Sequence, residues 1–266
     1  MTKKGKSLRK KPAARLPSRG EYEAYTREMA TARQIQKSLM PDIPPEVRGV
    51  RMACRSIPAH LVGGDYYDFF RWDDTSIDLV IADVSGHNLG SALIMVAARS
   101  VLRAHAFRSG NAGDALAVIN ELLYEDLTRA ELFISMFYAK FSTDSRLLTY
   151  ANGGHNPPLL LRCGQQESIG LDADGMVLGV LKGVSFEEKS VRLKEGDVLV
   201  FYTDGITESQ NSAGELFGTE RFYRAVHSLR GAPPEDIIDG VLRRVHEFTG
   251  EKALQDDVSL VVMKVD

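Results

Sequence analysis

The sequence predicts an α+β fold, and three observations carry that expectation. Helical patterns come in pairs, one pair after residue 90 and one at about 217–229 and 233–249. Runs rich in β-branched and aromatic residues lie before, between and after the pairs. A strictly alternating strand–helix–strand order is absent, which argues against a parallel sheet wound with crossover helices.

In chain order, residues 1–20 hold Pro12, Pro17 and Gly20 with no apolar periodicity and read as a disordered tail. Residues 21–39 place Tyr22, Tyr25, Met29, Ala32 and Leu39 on a heptad-like stripe interrupted by Gln36. This predicts an amphipathic helix of about five turns, ended by Pro41, Pro44 and Pro45. Such a stripe either packs on its own domain or pairs with a second copy. Residues 50–57 read as a strand. Gly63 and Gly64 permit a tight backbone before Asp65, and Tyr66, Tyr67, Phe69 and Phe70 read as packing residues around a structural Asp68. The helix at 90–108 carries an apolar face of Leu93, Met95, Val96, Val101 and Leu102. A second helix follows Gly113, with Asp114 as N-cap and Leu116, Ile119, Leu122 and Leu123 facing inward.

Strands at 133–142 and 146–152 flank Thr143-Asp144-Ser145, a hairpin by loop length. A short strand at 157–162 follows the turn Asn152-Gly153-Gly154-His155-Asn156. There His155 either reaches a phosphate or fixes its loop by a hydrogen bond, and the second reading is preferred. Residues 165–190, punctuated by Gly170, Gly175, Gly179 and Gly183, read as a surface excursion. Strands at 189–194 and 197–203 meet at Glu195-Gly196, 209–216 is loop, and a strand at 258–265 closes the domain after the last helix pair.

At 266 residues the chain accommodates one sizeable domain and an extension. No apolar run approaches the roughly 18 residues that span a bilayer. Cys54 and Cys163 offer no disulfide framework and no metal-ligand spacing, so a reducing cytoplasm is the simplest setting. The net charge of −3 conceals eight Lys or Arg and no acid within residues 1–19, leaving −11 for the rest. The tail reads as solubilising rather than as a contact for nucleic acid or membrane. The acidic body suits a cation-binding enzyme and an ordinary acidic surface equally.

Chemistry concentrates in four aspartate motifs. An apolar run, Ile77 to Ala82, ends on Asp83 and a glycine-containing turn. Residues 197–208, DVLVFYTDGITE, repeat that layout at Asp204. Asp256 and Asp257 precede the last strand, and Asp65 follows two glycines. A carboxylate at a buried strand tip is costly to desolvate. It is kept there either as a cap or as a ligand. Carboxylates without Cys or His companions suit hard cations, Mg²⁺ or Mn²⁺, and two such ions serve displacement at phosphorus.

Six stretches in register then resemble one family. They are ARQIQKSLMP (32–41), AHLVGGDYYDF (59–69), IADVSGHNLGSAL (81–93), YANGGHNPPLLL (150–161), VLVFYTDGITES (198–209) and QDDVSLVV (255–262). Together they resemble the SpoIIE/RsbU-type branch of the metal-dependent protein phosphatase type 2C superfamily, over roughly residues 30–266. The resemblance implies two packed antiparallel sheets flanked by helices, with a metal site at one end. It divides the chain into the tail 1–20, a linker or regulatory helix 21–45 and a phosphatase domain 46–266. It makes Asp65, Asp83, Asp204 and Asp256 the catalytic carboxylates. Asp83 bridges two ions, the Val84 carbonyl ligates one, Asp204 and Asp256 hold the other, and Asp65 acts directly or through water. The choice between Asp256 and Asp257 favours Asp256, and Gly205 is expected to let the chain pass close to the ions.

The implied reaction is hydrolysis of phosphoserine or phosphothreonine by a metal-activated water. The implied substrate is a STAS-domain anti-sigma-factor antagonist, and a homodimer through residues 21–39 is the partner reading of the helix stripe. Two departures stand out. Asn88 replaces the second glycine of the family's DxSGHG pattern, and His87 does not align with the histidine of the broader superfamily, so no general acid is assigned. Two other classes compete. A silent binding module would have lost ligand aspartates, and none is lost. The Gly63-Gly64-Asp65 triplet hints at a nucleotide cyclase, but no phosphate-cradling loop accompanies it.

Overall fold

The computed structural model describes residues 18–86, 88–105, 110–250 and 253–266. Most of the basic tail and His87 therefore lie outside the described residues. In chain order, α1 (Arg19–Leu39) leads into β1 (Val50–Ile57), β2 (Tyr66–Arg71) and β3 (Ser76–Val84). The helix pair α2 (Leu89–His105) and α3 (Ala112–Ala130) follows. Next come β4 (Ile134–Ser142), β5 (Leu147–Gly153), β6 (Leu159–Leu161), β7 (Ser168–Gly170), β8 (Glu188–Arg192) and β9 (Val198–Tyr202). The pair α4 (Gly218–Leu229) and α5 (Pro234–Thr249) precedes β10 (Val258–Val265).

The strands form two five-stranded antiparallel sheets, ordered β1-β10-β9-β6-β7 and β2-β3-β4-β5-β8. Their inner faces meet in one core that includes Phe137, Phe201, Ile81 and Val261. A second core packs α2 and α3 on the outer face of the β3 sheet, and a third packs α4 and α5 on the outer face of the β9 sheet. The central strands are covered on both faces, which is why β9 reads VLVFY without a polar position and is buried throughout. The architecture is the expected helix–sheet–sheet–helix sandwich.

Several local expectations are corrected. Helix α1 starts at Arg19, because Ser18 caps it and Glu21 returns the bond in a capping box. Only Met29 of its stripe is buried, in a small cluster with Val62 and Ala92, while Tyr22 and Tyr25 are exposed. Leu93 on α2 and Leu122 on α3 also face outward. Asn111, not Asp114, caps α3, its side chain accepting from the Asp114 N–H at 2.7 Å. The stretch 165–190 is no simple surface excursion: Leu171 and Ala173 enter the inter-sheet core, and Leu178 and Phe186 pack under α3. Asp68 is structural, as expected. It is buried, receives a bidentate bond from Arg103 at 2.8 and 2.9 Å and a bond from the Tyr66 hydroxyl at 2.7 Å, and so ties β2 to α2.

Candidate metal centre

Antiparallel pairing brings the four aspartate motifs to one end of the sandwich. The C-terminal end of β9 lies beside the N-terminal end of β10, with Tyr202 opposite Leu260. Asp204, just past β9, therefore neighbours Asp256 and Asp257, just before β10. In the other sheet Tyr66 pairs with Ala82, which sets Asp65, just before β2, beside Asp83 near the end of β3. Reversal of direction at each step is the reason for the convergence.

The carboxylates differ in how they are held. Asp65 is buried and accepts a hydrogen bond from the Thr203 hydroxyl at 2.8 Å, which links the two sheets. Asp257 is buried, with its oxygens accepting from the N–H groups of Ala59 at 2.8 Å and Gly64 at 2.7 Å. It anchors the turn that carries Asp65. Asp256 is only half-buried and accepts from the Asp257 N–H at 2.8 Å. Asp83 and Asp204 are half-buried as well.

Electrostatics binds these groups into one site. Burial, then the charges of Asp204, Asp256 and Asp257, push Asp83 up to about 7. Burial, then Glu208 and Asp256, push Asp204 up to about 6. Asp65 is raised well above the ordinary carboxylate range by burial and by Asp83 and Asp257. Crowded like charges of this kind are what a cation neutralises. The donors are all oxygen, the set expected for a hard divalent ion. Among the described residues, no group of three His, Cys, Asp or Glu side chains is gathered as an ion-enclosing cluster. The carboxylates share one electrostatic field.

Backbone geometry shapes the same end. A Cβ on Gly64 would stand 2.5 Å from the Val84 carbonyl oxygen and 3.4 Å from Asp83 Oδ1, so glycine is what lets this turn lie against them. At Gly205 a Cβ would collide with the Asp257 carbonyl oxygen, so glycine is what lets the Asp204 turn lie against the start of β10. Gly86 takes a positive φ of 85°, as the turn after β3 requires. Asn88 does not share it. Its side chain accepts from the Gly90 N–H at 2.7 Å and the Ser91 N–H at 3.3 Å, capping α2. The departure from the family's glycine is thus a helix cap.

Two residues singled out in the sequence acquire definite roles. The Gln36 amide pairs with the Gly63 backbone in both directions, donating to its carbonyl at 2.7 Å and accepting from its N–H at 3.0 Å. The residue that broke the α1 stripe is the one that holds the Asp65 turn. His155 is buried, with Nδ1 at 2.8 Å from Ser135 Oγ and its backbone bonded both ways to the Asn152 side chain. Burial lowers its pKa to about 4, so it is neutral and fixes its loop. Sequence reasoning missed Thr203, whose partner is far away in the chain. It also missed Glu208, which the i, i+4 spacing from Asp204 on one turn would have indicated: its N–H donates to the Asp204 carbonyl at 2.7 Å.

The model of the Stage II sporulation protein E (SpoIIE) family matches residues 73–266. Phosphoserine phosphatase RsbU of Bacillus subtilis (strain 168) is 26% identical over 249 residues, which cover 92% of this chain and 72% of RsbU. The SiaA-PP2C domain of Pseudomonas aeruginosa superposes with a TM-score of 0.79 at 19% identity, covering 92% of this chain and 98% of that one. RsbX, solved in complex with magnesium, superposes with a TM-score of 0.63 at 14% identity, covering 84% of this chain and 98% of that one. At these identities the two solved structures speak for the fold.

Proposed function

Because the chain belongs to the SpoIIE family and is a serine/threonine phosphatase of the type 2C kind, we propose that it hydrolyses a phosphoserine or phosphothreonine on a partner protein at a two-metal site. The observation that carries the reading is the convergence of Asp83, Asp204 and Asp256 from two sheets onto one end, each half-buried and within the same field. Asp83 is proposed to bridge the ions, the Val84 carbonyl to join one, and Asp204 and Asp256 to hold the other. Two divalent cations, Mn²⁺ or Mg²⁺, would neutralise the phosphate and lower the pKa of the attacking water. The magnesium bound by RsbX is in keeping with that donor set.

The chain's own residues then hold the site open and in register. Thr203 keeps Asp65 turned toward the opposite sheet. Asp257 is read as the anchor of the 59–64 turn, since the Ala59 and Gly64 N–H groups donate to its two oxygens, and the half-buried Asp256 is read as the ligand. Glu208 adds negative charge at the exposed lip, where it favours cation retention. The function is tested by hydrolysis of p-nitrophenyl phosphate and of phosphoproteins. EDTA should abolish turnover, and Mn²⁺ or Mg²⁺ should restore it. Undiminished turnover in EDTA would overturn the metal mechanism.

The finer reading takes a phosphorylated STAS-domain anti-sigma-factor antagonist as substrate, in the cytoplasm, where Cys54 and Cys163 stay as the free thiols they are. Among the described residues no helix is long and apolar enough to cross a membrane. A folded substrate requires contacts beyond the phosphate, and Val180 and Leu181 are exposed in the connection between β7 and β8. Replacing both by Ser is expected to lower kcat/KM on the phosphoprotein about tenfold and to spare p-nitrophenyl phosphate. Equal loss on both substrates would make this loop a support of the metal site.

The proposed division is a tail 1–20, a regulatory helix segment 21–45 and a catalytic domain 46–266. The exposed Tyr22 and Tyr25 leave the outer stripe of α1 available for a second copy. Whatever moves α1 reaches the site through Gln36. Gln36→Ala should therefore raise the Mn²⁺ concentration for half-maximal activity several-fold without changing the oligomeric state seen by sedimentation. An unchanged metal requirement would reduce the Gln36 pair to a passive contact.

A further inference from the structure

A cavity of about 270 Å³ opens between α1, the end of β1 and the start of β2. Asp83, Asp204 and Asp256 do not line it. Its lining includes Leu61, Tyr67, Met40 and the half-buried Cys54, an apolar set. Asp65 and Asp257 also line it, and their carboxylates are already engaged by Thr203, Ala59 and Gly64. Arg33 and Lys37 line it from α1, one turn apart and exposed. Neither forms an ion pair among the described residues. Arg55 adds a third cation, shared with Asp239 at 3.2 Å, and Asp42 is the one exposed carboxylate of the lining.

We propose that this cavity binds a small organic anion with an apolar body, its carboxylate or phosphate head held by Arg33 and Lys37 and its body laid on Tyr67, Leu61 and Met40. The volume is near the lower end of small-molecule sites, roughly 300 Å³ and upward. The lining sets an apolar patch beside charged side chains, a pairing that suits a ligand with an apolar body and a charged head. Two exposed cations beside an apolar surface select a ligand that carries both features.

Occupancy has a route to the metal end. Helix α1 is held to the body by the Met29 cluster, the Gln36–Gly63 pair and the bond from Arg99 Nε to the Leu39 carbonyl at 2.8 Å. A ligand spanning α1 and the β1–β2 edge adds to that short set and steadies the turn carrying Asp65. The proposal concerns binding, which is measured without turnover, and shares only Asp65 with the catalytic reading.

The test uses the full chain and 1-naphthoate as probe, with the uncharged 1-naphthalenemethanol as its comparison. Calorimetry should give one site per chain. Binding should be at least tenfold weaker for the alcohol and at least tenfold weaker for the Arg33→Ala/Lys37→Ala double variant, whose changes lie on an exposed helix face. Naphthoate should also slow maleimide labelling of Cys54 while leaving the exposed Cys163 unaffected. No binding at millimolar naphthoate, equal binding of the alcohol or of the double variant, or equal protection of both cysteines would overturn the proposal.

Discussion

Asp83→Asn and Asp204→Asn are each expected to lower phosphatase turnover on the order of 10³-fold or more, because each removes a charge that the proposed cations need. The same changes should stabilise the protein when cations are chelated. Asp83 and Asp204 have folded-state values near 7 and 6, above the ordinary carboxylate value of 3.8. The folded state therefore binds protons more tightly than the unfolded chain. Stability contributed by these groups is greatest below pH 4, falls as pH rises toward 7, and stays low above it. In EDTA at pH 8, Asp83→Asn should thus raise Tm, by about 2–4 °C for each kcal/mol of relieved repulsion. Added Mn²⁺ should raise Tm of the native chain and leave the variant unmoved. A variant that is less stable than the native chain in EDTA, or that still responds fully to Mn²⁺, would contradict the proposed role of Asp83.

The adjacent aspartates before β10 should separate cleanly. Asp256→Asn is expected to abolish activity comparably to Asp204→Asn without loss of chelated-state stability, since Asp256 is half-buried and its charge adds to the repulsion on Asp83 and Asp204. Asp257→Asn puts an NH₂ where a buried carboxylate oxygen now accepts from Ala59 or Gly64. One buried N–H then loses its partner, at a cost of about 1–3 kcal/mol. Denaturation midpoints should show that loss in EDTA, where no cation contributes. Calorimetric Mn²⁺ titration of both variants completes the comparison. A stability loss in Asp256→Asn with intact metal binding would exchange the two assignments.

The strands were readable where their patterns were strong. The stretches at 50–57 and 258–265 coincide with β1 and β10, the second a Val-rich run that follows the Asp256-Asp257 pair. The aspartates were readable because each ends or precedes such a run. Errors fell where tertiary packing outweighs local pattern. The glycine-punctuated stretch before β8 looks exposed, yet Leu171, Leu178 and Phe186 are drawn into two cores. Asp114 is a good cap by type, but Asn111 stands at the position where the helix starts.

The α+β class and most elements were legible in the chain's local periodicity, although the short β7 was not, and the four carboxylates were singled out by motifs that resemble the family's. What local pattern does not contain is the set of hydrogen bonds that distinguishes the last two aspartates, because the partners of Asp257 come from distant segments. Asp256 and Asp257 are chemically identical neighbours. The N–H groups of Ala59 and Gly64, from far away in the chain, take both oxygens of Asp257, and Asp256 is left half-buried beside Asp204. The same holds for Gln36, a flaw in a helical stripe by its sequence. In the fold its amide meets a turn whose backbone donor and acceptor, both on Gly63, it satisfies together.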